Sequence, residues 1–200
     1  MENKLHSIVQ QSINIYRKYG IKSVSMEDLC KELKISKKTI YKYVKNKDEL
    51  IAYIFLKYLN QEFEVRLQNL QKDKENAIDF ILKITEHYSF ENNAITMAMI
   101  HDLYLHYPLI YKQFNTLATQ RKQKIIQSNI EQGQQEGLYK LSINTEIISV
   151  LFSNIDMYKK IPEHAHYTED DVFKEIICIY IYSIATPKGI DYYEQHFTNI

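Results

Sequence analysis

The chain has 200 residues, enough for one ordinary domain or for a small head with a larger body. Hydrophobic residues make up 45% of it, which argues against global disorder, while four glycines and three prolines are too few for a turn-rich β fold. Net charge is zero overall, but residues 1–50 hold ten Lys and one Arg against six acids, a local +5 that leaves −5 for the remainder. Such asymmetry reads as a basic module facing a polyanion, joined to an acidic one that does not.

The first helical pattern places Leu5, Ile8, Val9, Ile13 and Tyr16 at i, i+3, i+4 spacing and stops at Gly20. Ser25 with Asp28 forms a capping-box pattern that opens a second helix from Met26 to about Leu33. A turn at Lys34 and Ile35 leads to Ser36, the N-cap of a third short helix through Tyr43. Asn46 with Glu49 opens a long fourth helix, from Lys47 to about Leu70. Polar residues 71–77 mark a boundary, and further helices are expected at 77–90, 93–106, 108–135, 144–160 and 169–185. Thr186, Pro187, Lys188 and Gly189 read as the end of the last of these. The expected fold is all-α, divided into residues 1–50, a connecting helix over 51–70, and a body over 71–200.

Cys30 and Cys178 lie far apart in apolar helical patterns and read as reduced core residues, not a disulfide framework. The N-terminal stretch MENKLHSIVQQ lacks the apolar run of a signal peptide, and the longest apolar run, 176–185, is half of what a bilayer requires. A cytoplasmic protein without a membrane segment is the expectation.

Residues 24–50 concentrate seven lysines around an apolar rhythm of Leu29, Leu33, Ile35, Ile40 and Val44. Two short helices joined by a tight turn and braced by a third make a helix-turn-helix, whose second helix can enter the major groove. Its leading residues are Ser36, Lys37, Lys38 and Thr39. With the apolar residues turned inward, Lys37, Lys38, Tyr41 and Lys42 face outward, where ammonium groups and a phenol suit phosphate contacts.

In these residues the sequence resembles the tetracycline-repressor (TetR) family of transcriptional regulators. The match runs from about Ile8 to Leu50, through YRKYGIKSVSM, EDLCKELKISKKTIYKYV and KNKDEL. Carried over position by position, the resemblance puts Ser25, Lys37, Thr39, Tyr41, Tyr43 and Lys47 at the DNA. One position departs from the pattern: the turn residue usually held by Gly is Lys34, which must adopt a positive φ or change the turn angle.

The body resembles the family more loosely. The helix at 144–160 carries a wide apolar stripe, and the one at 169–185 is apolar almost all round, so one face needs cover beyond its own domain. The resemblance implies a homodimer through a four-helix bundle of these two helices, with Ile148, Phe152, Ile155, Phe173, Ile177 and Ile181 in the seam. Two heads related by a two-fold axis match a palindromic operator. Met97, His101, Tyr104, Phe114 and Phe152 are the candidates for lining a pocket for a small, largely apolar inducer. The resemblance implies a ligand-responsive repressor, with no cofactor and no catalytic activity.

Two rival classes are weighed against it. Adjacent His101 and Asp102 could serve a helical metal-dependent phosphohydrolase, with His87, Asp79 and Asp156 completing the ligand set; adjacent helical residues diverge, however, and no spacing supports the set. Glu163 and His166 share a Glu-x-x-His spacing but follow Pro162 in an expected loop. A helical adaptor whose head binds acidic protein without reading DNA is the other rival.

Overall fold

The computed structural model describes residues 2–72, 76–91, 95–154 and 166–197. They form α1 (Glu2–Tyr19), α2 (Met26–Glu32), α3 (Lys37–Ile40), α4 (Lys47–Ala52), a π-helical segment (Tyr53–Tyr58) and α5 (Leu59–Lys72). Then follow α6 (Ala77–Glu91), α7 (Met97–His106), α8 (Pro108–Gln135), α9 (Thr145–Ser153), α10 (Glu169–Ile184) and α11 (Pro187–Phe197). The fold is all-α; the extended pairing among the described residues is an isolated bridge between Tyr139 and Ala185. Two compact units are present, Met1–Leu67 with Phe90–Leu117, and Gln68–Ser89 with Ala118–Ile200.

The first unit is built on α1, whose Ile8, Val9, Ile13 and Tyr16 are buried, and on Leu29, Ile40, Val44 and Leu50 from the short helices. Every short helix has a cap. The Ser25 hydroxyl accepts from Asp28 N–H at 3.1 Å while the Asp28 carboxylate accepts the Ser25 N–H at 2.9 Å, and such a cap contributes about 1 kcal/mol. Ser36 accepts from Thr39 N–H at 3.1 Å and Asn46 accepts from Glu49 N–H at 2.8 Å.

At the end of α2 the chain closes in a Schellman motif. Ile35 N–H donates to Cys30 C=O at 3.0 Å and Lys34 N–H to Lys31 C=O at 3.1 Å. Lys34 therefore adopts φ 52°, the first of the two solutions open to a non-glycine residue there. The geometry costs about 1 kcal/mol that glycine would avoid.

The expected single helix from Lys47 is helical through Lys72 but carries the π-helical segment in its middle. Ile54, Phe55 and Tyr58 of that segment are buried, and the Asn60 side chain donates to Leu56 C=O at 2.8 Å. A side-chain donor at a disturbed i→i−4 ladder is one recognised way to accommodate such an insertion.

The two compact units interleave along the sequence. Met99 and Leu103 of α7 are wholly buried in the cluster formed by the N-terminal helices, and Phe114 of α8 packs there edge-on to Phe55. Burying two large side chains stabilises that docking by about 3–6 kcal/mol on area grounds, more than enough to tie a distant segment to the head.

In the second unit Ile78, Ile130, Tyr139, Tyr180, Ile181 and Ile184 form the core. Its polar centre is Asn129, which donates to Ala77 C=O at 2.6 Å and accepts from the phenols of Tyr139 and Tyr180, each at 3.2 Å. Gly133 allows the Tyr139 ring to lie against α8, because a Cβ there would stand 2.1 Å from the ring.

Two boundaries differ from expectation. The helix expected at 93 starts at Met97, capped by Thr96. The helix expected to reach 160 is described through Ser153, and residues 155–165 lie outside the described residues. The last expected helix does end before Thr186, at Ile184, but Pro187 then opens α11, a helix the sequence reading did not foresee; its missing N–H costs nothing there, while Thr186 accepts from Gly189 N–H at 3.3 Å.

Candidate nucleic-acid interface

The inward and outward faces of the head are sharply separated. Leu29 and Ile40 are fully buried and Val44 nearly so, while Lys37, Lys38, Tyr41 and Lys42 are exposed. Ser36 at the cap and Thr39 within α3 share a hydroxyl–hydroxyl contact at 2.8 Å, so both are oriented before any ligand arrives. After Ile40 the bonds tighten, Lys42 N–H reaching Thr39 C=O and Tyr43 N–H reaching Ile40 C=O. The helical path continues to Val44 in a narrower form than the expected α-helix. Tyr43 is half-buried and packs against the core, whereas Tyr41 is 47% exposed.

Two of the expected contact residues, Lys37 and Lys47, have partners that sequence reasoning missed, and a third, Ser25, is engaged in the cap expected of it. Ser25 is committed to its cap, its hydroxyl donating to Asp28 at 2.6 Å; this holds the Asp28 carboxyl below its usual range. Lys37 pairs with Glu27 of α2 across the exposed surface, lowering the Glu27 carboxyl and raising the Lys37 ammonium from their ordinary values. Lys47 donates to Ile21 C=O at 2.6 Å and, more weakly, to Lys22 C=O at 3.4 Å. Its burial pushes its pKa down, opposed by the negative charge of Asp102.

The expected pocket residues do not gather within either unit. On α7, Met97 and Tyr104 are 57% and 58% exposed and His101 is exposed, while the neighbouring Met99 and Leu103 are the buried residues. Phe114 packs into the first unit's core; Phe152 lies in the second unit, edge-on to Tyr180. An apolar helix with few polar markers leaves its rotational phase unreadable from spacing.

The residues expected in the seam are mostly engaged within their own unit, as far as they are described. Ile181 is wholly buried in its own unit, and Ile148, Phe152 and Ile177 pack partly buried against the same cluster. Ile155 and the Phe173 side chain lie outside the described residues. Among the described side chains of these two helices, Ile147, Val150 and Leu151 of α9 and Ile179 and Tyr182 of α10 are large, apolar and exposed. Ser149 and Ser153 are the buried residues of α9, their hydroxyls donating to Glu146 C=O and Val150 C=O.

The described aspartates of the first rival metal set are engaged elsewhere. Asp102 accepts Lys22 N–H at 2.9 Å, and Asp79 accepts the Tyr192 phenol at 2.9 Å in the other unit. The His87 side chain, Asp156 and Glu163 lie outside the described residues, and among the described residues no cluster of three metal-capable side chains occurs. No described helix is long and apolar enough to cross a membrane.

A capped three-helix head that presents a short basic helix after a tight turn defines a helix-turn-helix protein. Residues 8–54 match the family model described as bacterial regulatory proteins, tetR family, and this segment is a tetR-family head. No curated protein sequence matches the chain. Among solved structures, a transcriptional regulator from Cytophaga hutchinsonii is similar at a TM-score of 0.76, with 16% identity over 92% of this chain and 99% of that one. A TetR-family regulator from Agrobacterium tumefaciens aligns at 0.66, with 16% identity over 92% and 99%. AibR in complex with isovaleryl coenzyme A and operator DNA aligns at 0.58, with 14% identity over 88% and 96%. At these identities the likeness establishes the fold alone, over the share of the chain that is matched.

Proposed function

We propose that this chain is a sequence-specific DNA-binding transcriptional regulator, a ligand-responsive homodimeric repressor working in the cytoplasm and carrying no enzymatic activity. The observation that carries the reading is the exposed basic surface of Lys37, Lys38, Tyr41 and Lys42, mounted on a fully buried Leu29–Ile40 core within a segment that matches the tetR-family model. Lys38 and Lys42 contact phosphates and set affinity, while Lys37 and Thr39, at the leading end of the helix, meet base edges. Lys37 must leave Glu27 to do so, a small cost for an exposed pair.

The homodimer is formed by the exposed apolar residues of α9 and α10, namely Ile147, Val150, Leu151, Ile179 and Tyr182. Two heads then address successive major-groove faces of a palindrome. An inducer acts by population shift, binding the body more tightly in a conformation whose heads are wrongly spaced. That solved relatives of this fold include a complex with an acyl-coenzyme A and operator DNA supports a small organic effector of mixed polarity here.

Selection of bound duplexes from a random pool tests the reading. A palindromic consensus whose binding falls steeply with salt is the expected result. Recovery of no preferred duplex, with retention on acidic proteins, would favour the adaptor instead.

A further inference from the structure

The His101–Asp102 pair singled out in the sequence has no metal role among the described residues, yet Asp102 is engaged where two parts of the head meet. We propose that Asp102 is a positioning residue for DNA contact, fixing the turn at residues 20–22 and through it the place of the Lys47 ammonium. The proposal rests on the DNA-binding reading and deepens it.

A carboxylate from α7 holds the turn at its backbone. Gly20 ends α1 at φ 81°, and the Lys22 N–H that follows donates to Asp102 Oδ2 at 2.9 Å, from a residue 80 positions away in the chain. A Cβ on Gly20 would stand 3.0 Å from that same oxygen, so the missing side chain leaves room for the carboxylate as well as permitting the turn. Asp102 is itself held in place, since Met99 and Leu103 on either side of it along α7 are fully buried in the head's core.

The next link is short. Ile21 C=O, adjacent to the bonded amide, accepts from Lys47 Nζ at 2.6 Å, and Lys22 C=O lies 3.4 Å from the same nitrogen. An ammonium has three protons, so at least one remains for a phosphate oxygen. Moving the turn moves the carbonyls that aim this group. Asp102 is thus a means by which the position of α7 reaches a phosphate contact.

The test is a double-mutant cycle on the full chain with a fluorescently labelled mixed-sequence DNA duplex. Asp102→Ala should weaken binding about tenfold and lower the salt slope by about one, but change it less than about twofold when Lys47 is already Ala. Asp102→Asn, which keeps the acceptor, should bind within about threefold of wild type, well short of the Ala loss. Equal weakening in both backgrounds, or an unchanged salt slope, would assign Asp102 to folding alone and overturn the proposal. The wild-type chain gives a second measurement should Asp102→Ala not fold: the Lys22 amide must be protected from hydrogen exchange, and an unprotected amide overturns the proposal without any variant. A wild type that binds no duplex overturns the DNA reading itself, whereas a binding wild type with additive variants overturns this proposal alone.

Discussion

Ile179 and Ile181 stand two residues apart on α10 and face opposite environments: Ile179 is 56% exposed, while Ile181 is fully buried beside Tyr180 and Ile184. The same substitution should therefore have opposite kinds of effect. Ile181→Glu places an unpaired carboxylate in the core and should destabilise the second unit by more than about 4 kcal/mol. Ile179→Glu should leave the fold within about 0.5 kcal/mol of wild type but separate the dimer. Urea denaturation reads the first effect and analytical ultracentrifugation the second. A dimer that persists in both Ile179→Glu and Leu151→Glu moves the interface off this face.

The left-handed Lys34 gives a stability prediction. Lys34→Gly should stabilise the chain by about 1 kcal/mol, because the Schellman turn keeps its two hydrogen bonds and loses its steric cost. Lys34→Val should destabilise by a larger amount, since a β-branched residue tolerates positive φ poorly. Both are read as shifts in the urea midpoint at constant slope.

How far the sequence carried these conclusions depends on the type of signal. The existence of every described helix before α11, the Ser25–Asp28 and Asn46–Glu49 caps and the unusual turn at Lys34 were legible, because each is local chemistry over a few residues. The phases of α7, α9 and α10 were not. Each is apolar on several sides, so Met97 could not be told from Met99, nor Ile181 from Ile179, until neighbouring helices selected a face. The π-helical segment leaves no compositional mark. The link between Lys22 and Asp102 spans 80 positions and involves a backbone amide, which has no residue signature.

The contrast on α7 is testable in its own right. Met99→Ala should cost about 2–5 kcal/mol, the price of a cavity in the head's core. Met97→Ala, at a 57% exposed position, should stay within about 0.5 kcal/mol. Thermal denaturation of the two variants side by side decides the phase of the helix.

At the DNA, Lys47→Ala should weaken preferred and mixed-sequence duplexes alike and reduce the salt slope by about one, the mark of a lost phosphate contact. Thr39→Ala and Lys37→Ala should instead change which bases are preferred, costing about 1–3 kcal/mol at single positions of the selected site. Fluorescence anisotropy across a salt series separates the two behaviours. Loss confined to one sequence in Lys47→Ala would make it a base reader.

The paired phenols on Asn129 set an alkaline limit on the second unit. Tyr139 and Tyr180 are almost completely buried, and desolvation raises both above the ordinary phenol range. The sign follows from that direction. In the unfolded chain both ionise near pH 10, whereas the folded state keeps them protonated, so their contribution is complete below pH about 10 and declines as pH rises beyond it. Urea midpoints should therefore hold from pH 7 to 9 and fall steeply above pH about 10. Tyr180→Phe should lower stability at pH 8 by about 1 kcal/mol, the value of the lost hydrogen bond, while reducing the alkaline slope. The two stability curves should converge as the pH rises. Parallel curves would mean that the loss at high pH comes from other groups, and that the phenols at Asn129 are not what limits the fold.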